Sequence, residues 1–441
     1  MESKWRQKLH LEPPHGWLND PNGPCFFNGK YHVFFQYSPD GALGEPPRCW
    51  GHYESKDLTH WDFTGAVIAP SIPEDRNGCY SGGTFIKDGV MHIFYTGNTK
   101  EPNTDLILTG RGANVIHVTT EDGHNMSEKK VLLRNEDYPD YCSCHVRDPK
   151  VWEDGGKYHM LLGGRRRDDI GCILCYDSDD LEHWKFVRTY SLPGLGYMWE
   201  CPDLFTLSGQ EYLMFSPQGV RHEETRYQNT FQAGYYNNGT FIEWDYGFDY
   251  YAPQTFLTPD GRRIIIGWLG MGETAYTNST IPLGWQHCLS IPRELSRDYD
   301  GALLQKPIRE IEELVYETSD ISDGSIVSVP TPFELNAKIN GAFKITIDNG
   351  LELKYDENMF VMEFTNKALG AKRDIRRCVT HKCDDIKIIA DTSGLEIYLH
   401  GGRYVMSTRF YPEGETISVQ AEGINGTVGK MKPMEVDWHG K

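Results

Sequence analysis

Before residue 307, apolar positions come in short runs separated by glycine-containing turns, and helical periodicity is scarce. One unit recurs: a short apolar strand, a tight turn and a second apolar strand. The first copy is Cys25-Phe26-Phe27, Asn28-Gly29 and Tyr31-His32-Val33-Phe34-Phe35. The second is Thr84-Phe85-Ile86, Asp88-Gly89 and Met91-His92-Ile93-Phe94-Tyr95, and the third is Lys150-Val151-Trp152, Asp154-Gly155-Gly156 and Tyr158-His159-Met160-Leu161-Leu162. Ser208-Gly209 joins Leu204-Phe205-Thr206-Leu207 to Tyr212-Leu213-Met214-Phe215, and Asp260-Gly261 joins Thr255-Phe256-Leu257 to Arg263-Ile264-Ile265-Ile266. Each turn carries the residues that a two-residue hairpin loop demands.

A second element lies between the hairpins. Ser55-Lys56-Asp57-Leu58-Thr59-His60-Trp61 returns as Ser178-Asp179-Asp180-Leu181-Glu182-His183-Trp184, and more loosely around Asn237-Asn238-Gly239 and Trp244. It reads as the outer turn of a four-stranded sheet closed by a buried Trp. Four strands per unit, at a period of roughly 50 to 65 residues, predict an all-β, five-bladed β-propeller in preference to one long sandwich. A short helix is expected over 307–314, with Pro307 in its first turn. From about residue 325 strict alternation resumes, as in Phe343-Lys344-Ile345-Thr346-Ile347 and Leu395-Glu396-Ile397-Tyr398-Leu399, which predicts a smaller C-terminal β-sandwich. The expected modules are therefore 1–305 (propeller), 306–324 (linker with the helix) and 325–441 (sandwich).

Charge narrows the partners. With 44 basic against 63 acidic residues, the net charge of −19 disfavours nucleic acid and anionic membrane surfaces. The N-terminal stretch Met1-Glu2-Ser3-Lys4-Trp5-Arg6-Gln7-Lys8 lacks the apolar core of a secretory signal, and no apolar run reaches the length of a membrane span. Eleven cysteines, an odd number scattered among apolar strands, read as reduced thiols and point to the cytoplasm. Cys142-Ser143-Cys144-His145 has no second ligand pair at zinc spacing, so no metal is expected there.

The candidate chemistry lies at the entrances of the repeated strands. In His15-Gly16-Trp17-Leu18-Asn19-Asp20-Pro21-Asn22-Gly23, Pro21 and Asn22-Gly23 predict a tight turn that holds Asp20 at a strand entrance. The same residues also suit plain turn chemistry, with Asp20 capping its own backbone. The corresponding positions of later units carry Tyr80-Ser81-Gly82-Gly83, Arg147-Asp148-Pro149, Trp199-Glu200-Cys201-Pro202-Asp203 and Asp249-Tyr250-Tyr251-Ala252-Pro253-Gln254. A propeller brings such entrances to one mouth. Converging carboxylates either bind a hard cation or cleave a glycosidic bond. Their neighbours favour the second use. Trp17, Trp50, Trp199, Tyr80, Tyr251 and Trp268 are candidate stacking surfaces for a sugar, and Asn19, Gln36, Ser81 and Arg147 are candidate hydroxyl binders.

On Trp17-Leu18-Asn19-Asp20-Pro21-Asn22-Gly23, Arg147-Asp148-Pro149 and Glu200-Cys201-Pro202, the chain resembles glycoside hydrolase family 32, the β-fructofuranosidases that include invertases and sucrose-6-phosphate hydrolases. Tyr80-Ser81-Gly82, Trp50-Gly51-His52, Tyr251-Ala252-Pro253-Gln254-Thr255-Phe256, Gly267-Trp268 and Ile291-Pro292-Arg293-Glu294-Leu295 extend the likeness over nearly the whole chain. The resemblance implies retaining hydrolysis of a fructosyl bond in sucrose, its 6-phosphate or a short fructo-oligosaccharide. It makes Asp20 the nucleophile, Glu200 the general acid/base and Asp148 the transition-state stabiliser. Asn19, Gln36, Trp50, Ser81, Arg147, Tyr251 and Trp268 would contact substrate. Negative charge from Asp20 and Asp148 would favour the protonated form of Glu200. No metal or organic cofactor is implied, and the partner is a small fructoside, taken up by a monomer or homodimer. Fructosyl transfer, or sugar binding without chemistry, is the alternative.

One stretch departs from the family pattern. Between Gln36 and Trp50 the family carries an aromatic or histidine against the leaving sugar, and Ser38-Pro39-Asp40-Gly41-Ala42-Leu43-Gly44-Glu45-Pro46-Pro47-Arg48-Cys49 has neither. Arg48 and Arg165-Arg166-Arg167 either bind a phosphate on the leaving group or pair with Asp168, Asp169 and other surface acids.

Overall fold

The computed structural model describes residues 4–438; Met1–Ser3 and His439–Lys441, which the expected N-terminal stretch and end modules include, lie outside the described residues. The fold is all-β. Three sheets have four antiparallel strands each, built from Cys79–Lys87 to Lys130–Leu133, Cys142–Asp154 to Lys185–Ser191, and Met198–Leu207 to Thr240–Glu243. A fourth, Gly16–Phe27 to His60–Ile68, is widened at one edge by Trp285–Gln286 and at the other by Glu435–Asp437. A fifth runs from Tyr251–Leu257 to Leu303–Pro307. The first strands of these sheets touch in chain order, each against the next, and Tyr251–Leu257 returns to Gly16–Phe27. The arrangement is propeller-like, and its core is the aromatic packing between neighbouring sheets.

The turns form for the reason the sequence gives. Asn28-Gly29, Asp88-Gly89, Gly155-Gly156 and Ser208-Gly209 all have positive φ at both central residues, the geometry that matches strand twist. The Ser-x-Asp-Leu turns close as anticipated. Ser55 Oγ accepts the Leu58 N–H (2.8 Å), Leu58 takes a positive φ, and Trp61 Nε1 donates to the Leu58 carbonyl (2.9 Å). Ser178, Leu181 and Trp184 repeat it.

Two expectations of local structure are corrected. Gly16–Phe27 is one continuous strand, so Pro21-Asn22-Gly23 is not a tight turn; Pro21 pairs with Phe35 and Asn22 with Phe34, with register shifts on either side. Pro21 is tolerated because this strand's inner flank faces the ring of first strands, where no ladder N–H is needed. The helix covers only Arg309–Glu312, because Pro307 is held in the preceding strand and Val315 already begins the next.

The C-terminal part is a single ten-stranded sheet folded into a sandwich-like body. Its long strands Phe333–Ile347 and Thr416–Met431 pair with each other across a register break between Ile339 and Lys344. The first half of Phe333–Ile347 pairs with Asp385–Ala390 and the second half with Leu351–Asp356, which carries the chain from one layer to the other. This body is joined to the rest through charge. His10 sits between Asp391 Oδ2 (2.8 Å) and Glu396 Oε1 (3.1 Å), while Arg293 reaches Glu396, Asp245 and Ser407, all of them buried. Among the described residues no helix is long and apolar enough to cross a membrane.

Candidate active site

Each of the ring-forming first strands carries an irregularity at the same place. Register breaks fall at Leu18/Pro21 in the first, Tyr80/Gly82 in the second, opposite Leu161/Gly163 in the third, Glu200/Asp203 in the fourth and Tyr251/Gln254 in the fifth. Three of them place a non-glycine residue in the left-handed region directly before a proline: Asp148 (φ 63°), Cys201 (φ 47°) and Ala252 (φ 48°). Such backbone costs about 1–3 kcal/mol per residue and re-aims the side chains beside it. Here it turns carboxylates toward one another.

Asp20 Oδ2 accepts the Ser81 hydroxyl (2.7 Å) and Oδ1 accepts Asn19 Nδ2 (3.0 Å), while Asn19 Oδ1 is held by Trp17 Nε1 (2.8 Å). Asp148 is buried, its Oδ2 accepts the Cys201 N–H (2.9 Å), and its own N–H donates to Thr96 Oγ1 (2.8 Å). The Cys201 thiol lies 3.9 Å from Asp20 Oδ2 and 3.8 Å from Asp148 Oδ2, so one sulfur touches two of the three acids. Glu200 is gripped on both oxygens. Arg147 forks onto Oε1 through Nε (2.9 Å) and Nη2 (2.7 Å), and Oε2 accepts Gln218 Nε2 (2.7 Å) and the Tyr251 hydroxyl.

The charges set each other. Loss of water raises Asp20 above the usual carboxylate range, and the charge of Glu200 adds to it; Ser81 and Asn19 partly offset this. Burial also raises Asp148, with the Glu200 and Asp20 charges adding and Arg147 and the Cys201 N–H opposing. Arg147 stays firmly protonated, since Glu200 and Asp148 outweigh its burial. His145 is held neutral, pushed down to about 3 by burial and by Arg147 and Arg111. Its Nδ1 accepts from Arg147 Nη1 (2.8 Å), which leaves Nε2–H to donate to the Leu106 carbonyl (2.9 Å).

The remaining residues singled out in the sequence divide into two groups. Trp17 and Trp268 stand together at the site, ring centroids 6.0 Å apart, with Tyr251 6.2 Å from Trp268. Trp50 and Trp199 are not stacking surfaces. Trp50 is fully buried against Phe34 and Tyr95, and Trp199 lies flat on Phe215 at 4.0 Å. The strand Cys49–Ser55 is buried on both faces, so alternation cannot say which aromatic reaches the mouth. Trp50 Nε1 and Gln36 Nε2 instead donate to the carbonyls of Tyr80 (2.9 Å) and Cys79 (3.0 Å), and so place Ser81. Asp203 is structural, accepting both donors of Thr255, and Asp249 is buried under Arg373. Gln218 and Cys201 as a contact have no signal in the sequence, and His145 stands out there only in the Cys142-Ser143-Cys144-His145 stretch. Gln218 is found only through the hairpin register that sets it opposite Met198, two residues before Glu200.

Among the described residues no group of three or more His, Cys, Asp or Glu could hold a metal ion. The Cys144 thiol and His145 both turn to loop carbonyls at 106–107. The arginines also divide. Arg165 pairs with Asp169 (2.6 Å) and Arg166 with Asp168 (2.7 Å), whereas Arg48 lies beside Gly44, on the segment that covers Trp17.

The chain is similar to known proteins over most of its length. Residues 10–307 match the glycosyl hydrolases family 32 N-terminal domain and residues 356–435 the glycosyl hydrolases family 32 C terminal. The chain is 33% identical over 436 residues to a sucrose-6-phosphate hydrolase of Bacillus subtilis (strain 168), covering 92% of this chain and 89% of that protein. It is also 33% identical to a raffinose invertase of Escherichia coli, covering 96% and 93%. The solved sucrose-6-phosphate hydrolase of Lactobacillus gasseri superposes with a TM-score of 0.87 at 27% identity, over 98% of this chain and 94% of that one. The chain belongs to glycosyl hydrolases family 32.

Proposed function

We propose that this protein is a retaining fructosidase that cleaves the fructosyl bond of sucrose or its 6-phosphate. The observation that carries the reading is the division of labour among three carboxylates within mutual electrostatic reach, touched or flanked by Cys201. Asp20 is half-buried with donors on both oxygens, which hold an attacking carboxylate in place. Glu200 is held by Arg147, Gln218 and Tyr251 in the orientation of a proton donor. Retention requires the two carboxyls about 5–5.5 Å apart, with attack by Asp20 forming a fructosyl ester while Glu200 protonates the departing oxygen. Glu200 then takes a proton from water as the ester is hydrolysed. Asp148, whose Oδ2 is held by the Cys201 N–H, is placed to bind fructose hydroxyls as positive charge develops at the anomeric carbon. Trp17 and Trp268 give the sugar an apolar wall.

The five smaller sheets we read as five blades about one axis, which the closed order of contacts among their first strands supports. The modules expected at 1–305, 306–324 and 325–441 we redraw, because Leu303–Pro307 pairs within the fifth sheet and Val315–Ile321 pairs with Thr416–Met431, so that only 308–314 lie between the two bodies. The eleven free, buried cysteines suit a reducing compartment, the cytoplasm. A non-catalytic sugar binder has no need of an acid gripped on both oxygens beside a second carboxylate.

Fructose release from sucrose, followed by NMR with the full chain and with Asp20→Asn, tests this. The wild type should release the retained anomer first and the variant none. Activity in Asp20→Asn, or the inverted anomer appearing first, overturns the mechanism.

A further inference from the structure

The Cys142-Ser143-Cys144-His145 stretch ends two residues before the arginine that grips Glu200. Val146 pairs with Gly164 and Cys142 with Arg166, so the chain bulges between them. The bulge turns two successive side chains the same way. The Cys144 thiol reaches the carbonyls of Ile107 (3.1 Å) and Leu106 (3.5 Å), and His145 Nε2 donates to that of Leu106 (2.9 Å). Strand alternation then puts Arg147 on the face of His145, with buried Val146 between them on the other. Arg147 Nη1 donates to His145 Nδ1 (2.8 Å), while Nε and Nη2 fork onto Glu200 Oε1.

The proton positions in this chain are forced. A guanidinium only donates, so Nδ1 must accept and Nε2 must carry the ring proton. The Leu106 carbonyl therefore selects the tautomer that Arg147 needs. That carbonyl is itself fixed, since it also accepts Arg111 Nε (3.1 Å) and lies in a loop folded on its own groups. Asp105 Oδ1 accepts the N–H groups of Ile107 (2.8 Å) and Leu108 (3.1 Å), and the Glu101 N–H donates to the Gly110 carbonyl (2.9 Å). Arg147 also has a choice of acids, because the charges of both Glu200 and Asp148 act on it. Among the described residues its hydrogen bonds go to Glu200 and His145 alone. With Nη1 occupied by the imidazole, Nε and Nη2 face Oε1 of Glu200, and Oε2 is left to Gln218 and Tyr251. Burial and the charges of Arg147 and Arg111 keep the imidazole neutral, so the acceptor persists through the neutral range.

We propose that His145 is a positioning residue for the acid: its imidazole, locked in one tautomer by the Leu106 carbonyl, ties Arg147 into the fork that orients Glu200 toward the departing oxygen. This rests on the fructosidase reading and adds to it a residue that acts only through Arg147. Without the acceptor, Nη1 is free to turn toward Asp148, and the hold on Glu200 turns with it. The defect then falls on proton delivery to the leaving group and spares the binding of the sugar.

The test compares two substrates on the full chain. Sucrose needs a proton on its leaving oxygen, whereas the phenolate of p-nitrophenyl β-D-fructofuranoside departs without one, and kcat/KM reports only the steps up to that departure. His145→Leu should lose about ten- to hundredfold in kcat/KM on sucrose, the worth of one hydrogen bond to a charged group, with KM changed less than about threefold. On the activated fructoside it should stay within about threefold of the wild type. His145→Asn, which restores an acceptor near the position of Nδ1, should recover most of the loss. If thermal melting shows that His145→Leu does not fold, His145→Gln is read in its place, since it keeps a donor for Leu106 and withdraws the acceptor at Nδ1. Wild-type rates on sucrose, equal falls on both substrates, or His145→Asn no better than His145→Leu overturn the positioning role. A wild type that releases fructose from neither substrate refutes the fructosidase reading, and the role of His145 with it.

Discussion

Replacing His10 with Gln should weaken the protein in a way that depends on pH. His10 is wholly buried, and burial alone would strip its proton; the hydrogen bonds and charges of Asp391 and Glu396 overcome that and lift it from 6.5 to about 9. The lift of about 2.5 units, at about 1.4 kcal/mol per unit, corresponds to about 3 kcal/mol of folding free energy. Glu396, lowered to about 2 chiefly by Arg293 and His10 against its burial, is the same contact seen from the other end and is not added. Because the folded value is raised, the stabilisation is complete below the unfolded value near 6.5 and is lost as pH rises through about 9. Thermal unfolding of wild type and His10→Gln at about pH 6 and about pH 10 measures it. The gap in Tm should be a few degrees at the lower pH and should shrink toward the small cost of a changed hydrogen bond at the higher. A gap of equal size at both pH values would falsify the argument, because neutral packing and hydrogen bonding would then carry the junction.

Glu200→Gln keeps the acceptor for Arg147 but has no proton to give, so kcat on sucrose should fall about 10²- to 10⁴-fold while the sugar still binds; turnover near the wild-type rate removes Glu200 from the chemistry. Gly163 stands opposite Arg147 and a Cβ there would lie 2.2 Å from the Trp199 carbonyl, so Gly163→Ala should force apart the Arg147–Glu200 fork. Its kcat/KM should drop about a hundredfold, and wild-type kinetics would show that the strands yield without moving the acid. The Arg6 guanidinium lies between the rings of Trp285 (3.9 Å) and Trp438 (4.7 Å). Arg6→Met keeps the stem and should cost about 1–3 kcal/mol in a denaturation series, and no change would mean that the rings pack as well without the cation.

The hairpins were legible because their turns need positive φ at two successive residues, which only a few residue types supply cheaply. The acids were legible for a related reason: Asp20, Asp148 and Glu200 each lie within two residues of a proline, on strands whose inner flank needs no donor. What stayed hidden was geometry set by non-local pairing. No local pattern distinguishes the bulge at Asp20-Pro21 from a turn, and only the pairing of Pro21 with Phe35 decides it. Trp50 and Trp17 look alike in sequence, yet one is walled in on both sides. Gln218 acquires its place from the hairpin register that sets it opposite Met198, and its surroundings in sequence are those of an ordinary strand end. The extra strands Trp285–Gln286 and Glu435–Asp437 were likewise invisible, since two or three residues carry no periodicity.

The addition of Glu435–Asp437 alongside His60–Asp62 bears on how the protein is made. The first sheet is translated early, but its outer edge has no partner until this distant segment leaves the ribosome and docks, with Met434 donating to the Lys8 carbonyl and Glu435 to that of Thr59. Throughout elongation that open edge is a template for pairing with other nascent chains. A message truncated shortly before this segment would therefore yield a polypeptide that holds every proposed catalytic group and still enters the cell with its oldest sheet unsealed.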